Sequence, residues 1–171
     1  MTEPIQSSIE AYTEGIVVAC RRPDGRWLFI RRSATVRRPL RVCFPGGWIE
    51  AGESQAEAVI REMQEELHVD VVPVRRVWRH QFGEPPRTLW GWLAELTSAT
   101  PSPNPSEVHE ILWLTPDEAI KHPDVLPYTD VFLAALLNAL RQPCNAKDSR
   151  LAPATPLSEG ARRSYPWHGT A

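Results

Sequence analysis

The chain has 171 residues, 42% hydrophobic and 23% charged, which is long enough for one domain of ordinary size with a real core. A formal net charge of −2 and a pI of about 6.2 argue against a surface built to coat nucleic acid, so large polyanions are not expected as partners. Cys20, Cys43 and Cys144 form no disulfide or zinc pattern, the five His show no i, i+4 pair, and neither a signal-peptide plan nor a run of 18 apolar residues is present, so a cytoplasmic protein with no membrane partner is expected.

Residues 1–11 are expected to be a mobile lead, 12–141 the folded domain, and 142–171, rich in Pro and poor in aliphatics, a disordered or loosely packed tail. Gly15 to Cys20 reads as a buried strand. A turn at Pro23-Asp24-Gly25 leads to Arg26–Arg32, which reads as its hairpin partner. Ser33 to Arg41 carries three Arg and no period, so it is a basic loop. Val42 to Phe44 leads into a glycine loop and a helix. Val69 to Phe82 suits a long strand broken at Pro73, with Arg87–Leu96 as its antiparallel neighbour. A Pro-rich loop over 99–106 precedes a strand at Val108–Leu114. Thr115-Pro116-Asp117-Glu118 supplies an N-cap, a Pro at N1 and a Glu at N3 for a short helix. Tyr128 to Arg141 reads as a final amphipathic helix with Val131, Ala134, Ala135, Leu137 and Leu140 on its apolar side. Mixed strands with two or three helices fit an α/β fold, a sheet flanked by helices.

Chemistry concentrates between Gly47 and Val69. Ser54-x-x-Glu57 is a capping box, so the helix begins at Ser54. Ala56, Ile60, Met63 and Leu67 form an apolar stripe. Glu62, Glu65 and Glu66, at i, i+3 and i+4, share another face, roughly 130° away at about 100° per residue. Packing like charges there, near the negative end of the helix dipole, is unfavourable by about 0.3–0.5 kcal/mol per interaction when exposed. A hard divalent cation reverses the sign of that cost and suits chemistry on phosphates.

The same string resembles the box of the Nudix hydrolase family. Gly47, Glu53, Arg61, Glu62, Met63, Glu65, Glu66 and Val69 stand in register with it, after the lead-in Phe44-Pro45-Gly46-Gly47. His68 occupies the place of the last box Gly. A Gly just past a helix usually takes the left-handed conformation, which His tolerates better than most residues, so a reshaped helix exit is expected. The resemblance implies the Nudix α/β/α sandwich, a mixed β-sheet flanked by helices, and hydrolysis of a diphosphate linkage in a small nucleotide-type substrate. It further implies Mg²⁺ or Mn²⁺ held by Glu62, Glu65, Glu66 and the Gly46 carbonyl, with an Arg61–Glu53 pair orienting the acids. A carboxylate would take the water's proton: Glu62 within the box, or Glu110, Glu107 or, more weakly, Glu84 outside it, with Glu66 counted among the catalytic residues as a metal ligand. Two other functions of this fold are a non-catalytic nucleotide-sensing module and an isoprenyl diphosphate isomerase, the latter needing a catalytic Cys such as Cys43.

For the substrate, Arg31, Arg32, Arg37, Arg38 and Arg41 are expected to form a cationic rim for phosphates beside Gly47, with Arg32 and Arg37 the foremost candidates. Trp78, Phe82, Trp90 and Trp92 are expected chiefly as core or sheet-face residues, with base stacking as the functional alternative. Oligomeric state is not legible.

Overall fold

The computed structural model describes residues 13–97 and 100–141; the expected lead over 1–11 and tail over 142–171 lie outside the described residues. Six strands and three helices follow in the order β1 (Glu14–Ala19), β2 (Trp27–Arg32), β3 (Val42–Cys43), α1 (Gln55–Leu67), β4 (Val71–Phe82), β5 (Arg87–Leu96), β6 (Val108–Leu114), α2 (Pro116–Lys121) and α3 (Thr129–Arg141). They make two three-stranded sheets, β1-β5-β4 and β3-β2-β6. β1 runs parallel to β5, and the other pairs are antiparallel. Mixed sheets flanked by helices agree with the expected class.

One expected pairing is corrected. β1 and β2 follow each other through a tight turn, yet they do not form a hairpin, because β1 pairs with β5 and β2 with β3 and β6. The two strands meet only at a corner, where the Leu28 amide donates to the Cys20 carbonyl at 2.9 Å. Each strand thereby enters a different sheet and buries both faces. Near-continuous apolar runs such as Ile16–Cys20 and Trp27–Ile30 are what double burial requires.

Alternation along these strands separates two cores. Ile16, Val18, Leu28, Ile30, Trp92 and Ala94 point toward α1 and pack with Ala58, Val59, Met63 and Leu67. Ala19, Trp27, Phe29 and Val42 point the opposite way, toward Phe132, Leu133 and Leu136 of α3. The expected helix faces are partly revised. Met63 and Leu67 are fully buried, but Ala58 and Val59 share that role while Ala56 and Ile60 are only partly covered. On α3 the buried face is Thr129, Phe132, Leu133 and Leu136, and the expected stripe members Val131 and Leu140 are exposed. That helix is apolar over most of its circumference, so its period alone does not select the face. Among the described residues no helix is long and apolar enough to cross a membrane.

Candidate active site

The glycine loop is fixed as an extra strand on the free edge of β1. The Ile16 amide donates to the Gly47 carbonyl and the Val18 amide to the Pro45 carbonyl, both at 2.8 Å, and the Ile49 amide donates to Glu14 at 2.9 Å. This close approach explains both glycines. Gly46 has φ +144°, and a Cβ there would run into the Ile16 carbonyl. A Cβ on Gly47 would strike the Glu62 carboxylate. The loop therefore lies directly over the acidic side of α1.

Helix α1 begins as the sequence predicts. Ser54 caps it, with both halves of the capping box formed, at 3.3 and 2.8 Å. It ends at His68 in the left-handed region, φ 49° and ψ 40°. Arg61 ties the site together. Its guanidinium donates to Glu53 at 2.7 and 3.0 Å, to Glu62 at 2.8 Å, to Glu65 at 2.9 Å and to the Trp48 carbonyl at 2.9 Å. The Glu53 carboxylate also accepts from the Glu50 amide at 2.9 Å. Planar, five-donor geometry suits Arg to such bridging.

The acids are not a solvated face. Glu62 and Glu66 are buried at 4% and 3% exposure, while Glu65 is half-exposed. Glu66 lies only about 60° around the helix from Met63, close enough to the buried stripe for the glycine loop to seal it. Its Oε2 accepts the Gly46 amide at 2.9 Å. Burial pushes the Glu62 carboxyl up to about 7, against the opposing pull of Arg61. Burial, and then the neighbouring Glu62, raises Glu66 well above the ordinary carboxylate range.

As they stand, no three such groups among the described residues are gathered for one ion, because Arg61 lies between Glu62 and Glu65. The donor set nevertheless fits a hard divalent cation. Two buried like-charged carboxylates need a compensating charge, and the oxygens are of the type such cations select. Glu62, Glu65, Glu66 and the Gly46 carbonyl would hold it, after Glu65 turns from Arg61.

The carboxylates outside the box separate clearly. Glu110 accepts from Arg31 Nε at 3.1 Å, and Arg31 also donates to Asp124 at 2.9 Å. Glu84 is exposed in the turn between β4 and β5. Glu107, partly buried just before β6, adds its charge to the causes that raise both Glu62 and Glu66. Of the three, Glu107 acts most strongly on both buried acids.

Beside the glycine loop opens a cavity of about 170 Å³ whose lining includes Arg32, Arg37, Arg38, Arg87, Trp48 and Phe82. Gly46 and Gly47 belong to the same wall. Arg32 and Arg37 thus stand where the basic loop predicts, and Arg32 Nε donates to the Arg37 carbonyl at 2.9 Å. Arg31 and Arg41 are engaged elsewhere, Arg41 with the Val125 carbonyl at 3.2 Å. Sequence reasoning misses Arg87 and Trp48, whose guanidinium and ring lie 5.7 Å apart. Trp48 follows the glycines directly, a signal that was available; Arg87 is brought in only by the β1–β5 pairing. Among the aromatics, Trp92 is core, Trp78 packs against Phe132, and Trp90 is covered by Arg76 and Arg79, leaving Phe82 at the cavity. Cys43 also lines the wall, but burial pushes its thiol up to about 11, so it is neutral at physiological pH.

Comparison with known proteins agrees with this geometry. A family model described as the NUDIX domain matches residues 11–136. The 8-oxo-dGTP diphosphatase of Escherichia coli K12 is 36% identical over 89 residues, covering 50% of this chain and 69% of that protein. The CTP pyrophosphohydrolase of the same organism is 29% identical over 126 residues, 74% of this chain and 92% of that one. Among solved structures, the MutT protein from Methanosarcina mazei Go1 superposes with a TM-score of 0.65 at 21% identity, covering 77% of this chain and 96% of its own. With a family model matched across most of its length and a buried acid pair beneath a glycine loop, the chain belongs to the Nudix hydrolase family and is a pyrophosphohydrolase.

Proposed function

We propose that the chain hydrolyses a diphosphate linkage in a nucleoside triphosphate or nucleoside diphosphate derivative with Mg²⁺ or Mn²⁺, and that triphosphates are the preferred class. The observation that carries this reading is the buried Glu62–Glu66 pair beneath Gly47 and Gly46, two glycines that line a cavity with four arginines and no carboxylate. Such a lining favours a ligand with several negative charges. The two relatives named above for activity on 8-oxo-dGTP and CTP support triphosphates over neutral-ended derivatives.

In this reading Glu62, Glu65, Glu66 and the Gly46 carbonyl would hold a divalent cation, which would supply positive charge for the diphosphate and a lowered pKa for water. Arg32 and Arg37 orient phosphate oxygens, with Arg38 and Arg87 closing the rim, and the side-chain-free Gly47 lets the substrate approach. Trp48 and Phe82 offer faces to a base. Arg61, held by Glu53, aligns Glu62. Glu107 receives the water's proton. Glu110, the alternative, would first have to leave Arg31.

The test is a panel of nucleoside triphosphates, diphosphate sugars and dinucleotides with Mg²⁺ or Mn²⁺, scored by product identity. Triphosphates should give the highest kcat/KM, and Glu66→Gln should lower turnover by about 100-fold or more. Equal turnover in the variant, or activity unaffected by a chelator, would overturn the assignment.

A further inference from the structure

The loop that joins β5 to β6 is built on an alternation, Thr100-Pro101-Ser102-Pro103-Asn104-Pro105-Ser106. Prolines at every second position fix their own φ and remove a donor each. All three amides they leave are used. The Ser102 amide donates to the Leu67 carbonyl at 2.8 Å and the Asn104 amide to the Glu66 carbonyl at 2.9 Å. The Ser106 amide donates to Asn104 Oδ1 at 3.2 Å. Asn104 Nδ2 adds a bond to the Glu65 carbonyl at 3.0 Å. Three of the carbonyls that a helix end normally leaves to water are thus capped by this one loop.

His68 belongs to the same attachment. Its ring Nδ1 lies 3.1 Å from the Ser102 carbonyl, a contact that requires the Nδ1–H form. Glycine at this box position would keep the left-handed exit and lose the ring. At its other end the loop turns on the Asn104 carbonyl, which accepts the Glu107 amide at 3.0 Å and the Val108 amide at 2.8 Å. The Glu107 carbonyl in turn accepts the Ser33 amide at 2.8 Å.

We propose that residues 100–107 form a stiff strap fastened to the last turn of α1, that the strap fixes Glu107 relative to Glu62 and Glu66, and that Asn104 and His68 are positioning residues for the hydrolysis. The inference rests on the reading of Glu107 as proton acceptor. It gives the departure from the box Gly a purpose. The carbonyls gripped by Asn104 belong to Glu65 and Glu66 themselves, so one strap sets the carboxylates on the helix and the one on the loop in a common frame.

The experiment compares Glu107→Gln, Asn104→Ala, His68→Gly and His68→Asn by steady-state kinetics on the best triphosphate, by Mn²⁺ titration and by thermal melting. Asn104→Ala should lower kcat about tenfold, and His68→Gly roughly threefold because its single exposed bond is weaker, with KM and Mn²⁺ affinity unchanged in both. His68→Gly should melt no lower than the parent, since Gly relieves the left-handed backbone; a merely structural His would then leave kcat intact. His68→Asn, which tolerates that backbone and can donate to Ser102, should restore kcat. If Glu107→Gln is inactive while Asn104→Ala and His68→Gly keep the parent kcat, the strap is refuted and the proton acceptor stands. If Glu107→Gln is fully active, the acceptor assignment fails and the strap's catalytic role fails with it.

Discussion

Two carboxylates withdrawn from water make the chain's stability depend on pH in an unusual sense. Glu62 titrates near 7 and Glu66 well above the ordinary 4.5, both chiefly through burial. Between the ordinary value and the raised ones, the folded chain binds more protons than the unfolded chain. Their contribution is therefore complete below about pH 4.5 and is lost as pH rises through about 7. Asp124 and Glu118 are shifted the other way by Arg31 and by the Thr115 amide, respectively, so they act below this window. In chelator-treated protein the melting temperature should fall between roughly pH 5.5 and 8. Glu62→Gln should flatten that slope and melt higher at the alkaline end. Excess Mg²⁺ should reverse the trend, because only ionised carboxylates bind it. Thermal melts across that range check all three; an unchanged slope in Glu62→Gln would show that this group does not titrate as described.

At the scale of the element, α1 shows what local sequence can and cannot specify. Ser54 and Glu57 satisfy each other's backbone within one turn. Ser54→Ala should cost about 1 kcal/mol in a urea titration with the slope unchanged; no loss would mean that the cap is not stabilising. Such a box is readable because its partners are three residues apart, and the cap at Thr115 with Glu118 is readable for the same reason. Gly46, Gly47, Glu53 and Arg61 are readable because their spacing is fixed by one loop and one helix. The β1–β2 pairing was not, since two strands joined by a turn look alike whether they share a sheet or open into two. The face of α3 was not, because its apolar residues surround the helix and only the sheet beneath chooses Phe132, Leu133 and Leu136. Likewise Glu107 and Glu110 cannot be told apart along the chain. The register that sets Arg31 opposite Glu110 removes one of them into an ion pair.

Across the whole molecule, the two sheets divide the core into an α1 side that backs the acids and an α3 side that does not. Phe44 belongs to the α3 side, where it lies tilted against Phe29 at 4.2 Å and edge-on to Phe132 at 4.8 Å, and it also lines the cavity. Leu136 lies fully buried on the α3 side and lines no part of the cavity. Truncating it should remove about 2–5 kcal/mol of stability without altering kcat or KM below the melting transition. Met63 is buried equally well on the α1 side, next to Glu62 in sequence. Met63→Ala should lose a comparable amount of stability and also lower kcat, because the turn that aims the carboxylates loses its backing. Urea titration paired with steady-state kinetics on both variants separates the two sides. A fall in kcat for Leu136→Ala as large as that for Met63→Ala would mean that the sheets transmit strain between the layers, and that the site is held by the whole core rather than by one face of it.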